Sequence, residues 1–284
     1  MSAVLGVIGG SGLYQMPGLT EVEDVRVETP FGAPSDAIVR GRLGDTTLLF
    51  LPRHGRLHQH SPSKVNYRAN IWALKSLGAT HVLSVSAVGS LREEVAPGHV
   101  VVPDQFIDRT AGRVSTFFDD GVVAHVSMAD PVCPRLAAAL AAAAKTTGAT
   151  VHVGGTYVCI EGPRFSTRAE SHLFRQWGAT VIGMTNVPEA FLAREAELPY
   201  ATMALSTDYD CWRPHEEVDV NDILAVLHAN VSRAQEVVRA LASTLPDPSD
   251  SPAAGALQYA VLTKPSALTP ALRERYALLL GRYW

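Results

Sequence analysis

Cysteine is scarce: three in 284 residues, at Cys133, Cys159 and Cys211. An odd, scattered set makes neither a disulfide framework nor a CxxC redox or metal motif. Excess positive charge is lacking too. Lys and Arg total 24 against 28 Asp and Glu, a net charge of -4, so no basic footprint points to nucleic acid as a partner. No apolar stretch reaches the roughly 20 residues of a membrane span. The N-terminus, Met1-Ser2-Ala3-Val4-Leu5, has neither the basic segment nor the cleavage site of a signal peptide. A soluble cytoplasmic protein is therefore expected. Two nucleotide fingerprints are missing as well. A GxGxxG run from Gly10 needs glycine at position 15, which is Gln15, and there is no GxxxxGK loop. The first absence argues against a dinucleotide-dependent oxidoreductase. His54, His58 and His60 cluster, but Gly55 and Pro62 oppose a helix there and no nearby acid or cysteine completes a ligand set. No metal is expected.

What is present is ordinary for a globular chain, 47% hydrophobic and 18% charged, and long enough for one large α/β domain. Strand and helix patterns alternate. Residues 4–8, 47–51, 81–86, 100–102, 156–160, 180–184 and 201–205 read as strands. Residues 63–77 read as a helix capped by Ser63 and ended by Gly78. Residues 134–145 form an Ala-rich helix closed by Gly148. Thr167-Arg168-Ala169-Glu170 is a capping box opening a helix to Trp177, and Pro188 stands in the first turn of another. Residues 220–243 form a long amphipathic helix, and 246–256 look like a linker. The alternation predicts a mixed, largely parallel β-sheet flanked by helices, in one domain.

The loops after the strands carry the chemistry. Thr207-Asp208-Tyr209-Asp210-Cys211-Trp212 follows an apolar strand, and carboxylates at such a place must be paired or protonated; a helix cap or an Asp-built turn is the bland alternative. Gly9-Gly10-Ser11-Gly12 and Ser86-Ala87-Val88-Gly89-Ser90 offer amides and hydroxyls to an anion, although a tight turn explains the first equally well. Pro52-Arg53-His54-Gly55-Arg56 adds a guanidinium suited to bidentate phosphate binding and an imidazole that can donate a further bond. Three anion-friendly strand ends on one sheet predict a phosphate pocket. Phe165 either stacks on a planar base or fills the core, and Met184 either lies under a sugar or packs.

Seven motifs carry a resemblance: Gly9-Gly10-Ser11-Gly12-Leu13, Arg53-His54-Gly55-Arg56, Pro62-Ser63-Lys64-Val65-Asn66-Tyr67, Ser86-Ala87-Val88-Gly89-Ser90-Leu91, Glu161-Gly162-Pro163-Arg164-Phe165, Met184-Thr185-Asn186-Val187-Pro188-Glu189 and Thr207-Asp208-Tyr209-Asp210. In this order, from about Gly6 to about Lys264, the chain resembles the 5′-methylthioadenosine phosphorylase branch of the trimeric purine nucleoside phosphorylase family. The resemblance implies a cytoplasmic homotrimer of a nucleoside phosphorylase-like fold. It would cleave methylthioadenosine with phosphate, in purine and methionine salvage, with no cofactor beyond that co-substrate. It implies phosphate held by Ser11, Arg53, His54, Ser86, Ala87 and Thr185; substrate met by Phe165, Met184, Asp208, Tyr209 and Asp210; and substrate choice tuned at Ser166 and Val220. Asp208 and His54 are the implied catalytic groups. His125 and Leu262 would complete the methylthio pocket of a neighbouring subunit. Residues 265–284 lie beyond the resemblance, so 1–264 is expected as the catalytic domain with a C-terminal extension, in which Pro270–Leu280 reads as an amphipathic helix.

The chemistry of the acids agrees. A carboxylate accepts from a 6-amino group, whereas a 6-oxopurine favours an amide, and a buried Asp can protonate a departing purine. A methylthioinosine or general 6-oxopurine phosphorylase is the alternative within this chemistry. A nucleotide sensor without turnover is the alternative outside it.

Overall fold

A computed structural model of the chain describes residues 3–10, 12–213 and 220–284, with backbone alone for 220–229. In chain order the strands and α-helices are β1 Val4–Gly9, β2 Thr20–Val25, β3 Ile38–Leu43, β4 Thr46–Pro52, α1 Tyr67–Ser76, β5 His81–Ser90, β6 Val100–Val102, β7 Gln105–Arg109, α2 Pro134–Thr146, β8 Val151–Val153, β9 Thr156–Ile160, α3 Arg168–Gln176, β10 Val181–Gly183, α4 Glu189–Glu195, β11 Tyr200–Asp208, α5 Val220–Ala242 and α6 Pro270–Leu280. One mixed sheet runs β2-β3-β4-β1-β5-β10-β9-β7. From it β11 branches beside β5, and β6 and β8 follow β11. The pairs β1–β4, β1–β5, β5–β11, β9–β10, β7–β9 and β6–β8 are parallel, as the strand–helix alternation predicts. The pairs β2–β3, β3–β4, β5–β10 and β6–β11 are antiparallel.

Strand β5 is the hub. One of its edges pairs with β1 at residues 81–84 and with β10 only at Gly89 and Ser90. Between these contacts, residues 85–88 have no partner strand on that edge among the described residues, and the sheet splays open there. Strand β11 pairs along the other edge from Val82 to Gly89, with an irregularity between Ser206 and Asp208 that re-aims the strand end.

Apolar faces explain the layers. Leu136, Leu140, Val237 and Leu241 carry α2 and α5 onto one face of the sheet. Ile71, Leu74, Leu192 and Ala193 carry α1 and α4 onto the other. Helix α3 opens on the expected capping box, Thr167 accepting from Glu170 N and Glu170 reaching back to Thr167 N. Helix α1 corrects its expected start. Asn66 caps it by accepting from Ala69 N, and Ser63 instead lies in a short 3-10 turn, Pro62–Lys64. Gly78, at φ 86°, ends that helix as expected. Helix α6 covers the residues expected of it. Tyr276, Leu279 and Leu280 are buried in the same cluster as α1 and α4, so the C-terminal segment packs into the main core. The stretch 246–256 is likewise tied down, with Ser251 and Ala253 buried.

Candidate active site

The splay in the sheet opens into a cavity of about 270 Å³. Its wall takes Val85, Ser86, Ala87, Val88 and Gly89 from β5, and Gly183, Met184 and Thr185 from the end of β10. Leu205, Thr207, Asp208 and Asp210 come from β11 and its exit, and Val231 and Ala234 from α5. Arg53, His54, Phe165 and Ser166 complete the lining among the predicted residues.

One end gathers hydroxyls and a guanidinium. Ser86 Oγ lies 3.2 Å from Thr185 Oγ1 and 3.4 Å from the Tyr157 hydroxyl. Arg53 is only 3% exposed. Its Nε and Nη2 donate to the Glu189 carboxylate at 2.8 and 3.1 Å, Nη2 to Ser84 Oγ at 2.6 Å and to Ile8 O at 3.3 Å, and Nη1 to Val85 O at 3.2 Å. Burial pulls its pKa down, yet the Glu189 charge and hydrogen bonds leave it above the usual value. The bidentate grip on phosphate expected from sequence is thereby corrected. The fork already holds Glu189, and one Nη1 hydrogen is left. His54 differs from expectation as well. Its Nδ1 faces His60 O at 2.8 Å and so carries the hydrogen. Burial, then the Arg53 cation, push its pKa down to about 4. At neutral pH Nε2 is an acceptor and not the donor first expected.

The other end holds the acids. Asp208 Oδ2 accepts from Thr207 Oγ1 and Oδ1 from Asp210 N, both at 2.7 Å. Burial raises the Asp208 pKa against these bonds, and burial, with the Asp208 charge among the lesser causes, raises that of Asp210. Trp212 anchors the segment. Its ring is buried, Nε1 donates to Ser90 O at 2.8 Å, and Arg175 lies 3.5 Å from its centroid. Arg53 meets β5 at Ser84 and Val85, while the acids approach Gly89. Four residues of strand separate them, ~13 Å.

Tyr209 is a correction. Flanked by two residues that face the cavity, it points away, edge-on to Trp212 with its hydroxyl 3.4 Å from Glu93 O. His125 and Leu262 also lie outside the cavity. They are exposed on paired segments, where His125 N donates to Ala260 O and Leu262 N to Val123 O. Ser11 and the Val220 side chain fall outside the described residues. Ser166 lines the cavity beside the acid segment, its backbone carbonyl 3.4 Å from Cys211 Sγ, with its Oγ buried and bonded to no protein group. Among the described residues no group of three or more His, Cys, Asp or Glu could hold a metal.

Sequence reasoning missed the network behind Arg53. Glu189 also accepts from the Tyr200 hydroxyl at 2.9 Å, and Asn186 Nδ2 reaches Ser84, Tyr200 and Thr202. The motif Asn186-Val187-Pro188-Glu189 was visible, but only as a helix start. An isolated acid in a helix's first turn gives no signal that it answers an Arg 136 residues away.

Residues 4–243 match the Phosphorylase superfamily. A relative from Geobacter sulfurreducens, named S-methyl-5′-thioadenosine phosphorylase, is 56% identical over the whole of both chains. One of the same name from Thermosynechococcus vestitus is 54% identical, again over both full lengths. Among solved structures, a methylthioadenosine phosphorylase from an antarctic soil metagenomic library superposes with a TM-score of 0.93 at 51% identity, covering 99% of this chain and 100% of that one. Methylthioadenosine phosphorylase from Schistosoma mansoni in complex with adenine gives 0.80 at 37% identity, covering 98% of each.

Proposed function

The chain belongs to the phosphorylase superfamily, and from that premise we propose that it is a pentosyltransferase cleaving S-methyl-5′-thioadenosine with phosphate to adenine and 5-methylthioribose 1-phosphate. The observation that carries this is the spacing along β5 between a phosphate end and a pair of buried acids whose pKa values burial raises, which suits an anion and a purine with a pentose between them. The names of full-length relatives support the same substrate.

Breaking the glycosidic bond builds positive charge on the sugar and negative charge on the purine. Phosphate held by Ser86, Thr185, the Ala87 amide, Ser11 and the free Arg53 hydrogen stabilises the sugar by proximity and charge. Met184 and Phe165 both line the cavity; Met184 is assigned to the sugar and Phe165 to the base. Asp208, its pKa raised, gives a proton to the departing purine at N7. Asp210 accepts from the 6-amino group, and Ser166 offers its unpartnered hydroxyl. This reaction requires no metal or organic cofactor.

His125 and Leu262 fit a role toward a neighbour, because they are exposed beside one another and away from their own cavity. A homotrimer with the 5′ pocket shared between subunits follows from that reading. A cytoplasmic setting and a place in purine and methionine salvage go with the proposed reaction, and residues 265–284 belong to the same unit as 1–264, because α6 packs into the main core. The test is base release from methylthioadenosine, adenosine and inosine, side by side, with and without phosphate. Phosphate-dependent release that favours methylthioadenosine is expected. Inosine cleaved as well as methylthioadenosine would sink the assignment.

A further inference from the structure

Arg53 stands at the phosphate end of the cavity with its charge already answered. Glu189 is fully buried, and its carboxylate takes hydrogens from Arg53 Nε, Arg53 Nη2 and the Tyr200 hydroxyl. Asn186, Ser84 and Thr202 close the network behind them. The remaining Arg53 bonds run to the Ile8 and Val85 carbonyls. Nothing in this arrangement lets the guanidinium swing toward a ligand without breaking several buried bonds. His54 is neutral beside it. His58 stacks on His54 at the mouth, ring centroids 5.4 Å apart. An anion arriving here meets a paired cation, which attracts it far less than a free one.

We propose that Glu189 is a positioning residue that fixes Arg53 as a rigid single-hydrogen donor and cancels its charge, so that phosphate and the phosphorylated pentose bind weakly enough to exchange. This rests on the phosphorolytic reading above. Glu189 touches neither phosphate nor nucleoside; it acts through Arg53. The arrangement trades ground-state affinity, which does not lower the chemical barrier, for turnover.

Glu189→Gln keeps the shape and removes the charge. The phosphate KM is expected to fall about tenfold, the scale of one unit charge acting over several Å at intermediate dielectric, and kcat is expected not to rise. Tyr200→Phe removes one hydrogen from Glu189 but leaves its charge, and should hold the phosphate KM within about twofold. Removing a charge from a buried pair destabilises the fold, so a measurement on the wild type stands beside the variants. Between about 50 and about 500 mM KCl its phosphate KM should move less than about twofold, because a charge-paired site leaves little for salt to screen. A phosphate KM that rises or stays put in Glu189→Gln overturns the proposal, as does a wild-type KM that climbs about fivefold or more across the salt series. A wild type that releases no base from methylthioadenosine with phosphate present removes the phosphorolytic reading and this proposal with it. Phosphate-dependent release with a strongly salt-sensitive KM removes only the role of Glu189.

Discussion

Replacing Gly89 with alanine should damage the base end of the site and spare the phosphate end. A Cβ at position 89 would lie 3.0 Å from Asp208 Oδ1, 3.1 Å from Ile182 Cγ2 and 3.3 Å from the Asp210 Cβ. The Asp208 carboxylate cannot simply turn aside. Its two oxygens are held at 2.7 Å by the Asp210 amide and the Thr207 hydroxyl. Nor is Asp210 free, because Trp212 is buried and bonded to Ser90 O just beyond it. The crowding therefore displaces the acid pair as a unit by some tenths of an ångström, at an overpacking cost of about 1–3 kcal/mol. Misplacing a proton donor on this scale should lower kcat/KM for the nucleoside by roughly 10–100-fold. The phosphate KM should stay within about twofold, since Arg53 and its network lie ~13 Å along β5. Steady-state kinetics with each substrate varied in turn gives both numbers, and a thermal melt checks the fold. An unchanged nucleoside kcat/KM, or an equal loss in phosphate KM, would refute the placement of the acids against Gly89.

Three other outcomes follow. The His54 imidazole is held from 6.5 down to about 4 by burial and by Arg53, so the unfolded chain takes a proton that the folded one refuses. Its contribution is present above pH about 6.5 and is lost as pH falls toward about 4, up to about 3 kcal/mol; urea midpoints in wild type and His54→Asn check this, and identical acid slopes would contradict it. Asp208 has a raised pKa, so nucleoside cleavage should fall as pH rises through that value, and Asp208→Asn, which removes the proton donor, should abolish this limb and lower activity overall; a limb surviving in the variant belongs to another group. Leu262→Ala should weaken methylthioadenosine against adenosine about five- to thirtyfold, matching ~1–2 kcal/mol for burying a thiomethyl group, and an unchanged ratio in an intact oligomer would place Leu262 outside the 5′ pocket.

Much of this site was legible in the sequence because strand ends in a parallel sheet converge, so an acid pair, an Arg-His turn and a Ser-rich stretch on three such ends had to meet. The elements read best were those with strong local signals: the Thr167 capping box, the Ala-rich α2, and α6. The antiparallel strands β2 and β3 went unread. Strand β2 is almost wholly exposed, Thr-Glu-Val-Glu-Asp-Val, and carries no apolar face to mark it. Strand β5 was cut short at Ser86 because small residues look like a loop, yet backbone pairing with β11 as far as Gly89, and with β10 at Gly89 and Ser90, carries it on to Ser90. Tyr209 was placed at the substrate by the resemblance, together with Asp208 and Asp210, whereas the alternation of an extended chain turns it away. The role of Arg53 was misjudged for another reason. A guanidinium reads as a phosphate ligand in one dimension, and only the fold brings Glu189 against it.

The most direct test of the account is the fate of phosphate itself. Methylthioadenosine and inorganic phosphate, incubated with the purified chain, should give adenine and a sugar phosphate in equal amounts, read as ultraviolet base release and as a new pentose 1-phosphate resonance by phosphorus-31 NMR. With phosphate omitted, base release should stop. Adenine released at the same rate without phosphate, with free methylthioribose as the other product and the phosphate resonance unchanged, would contradict phosphorolysis at this site.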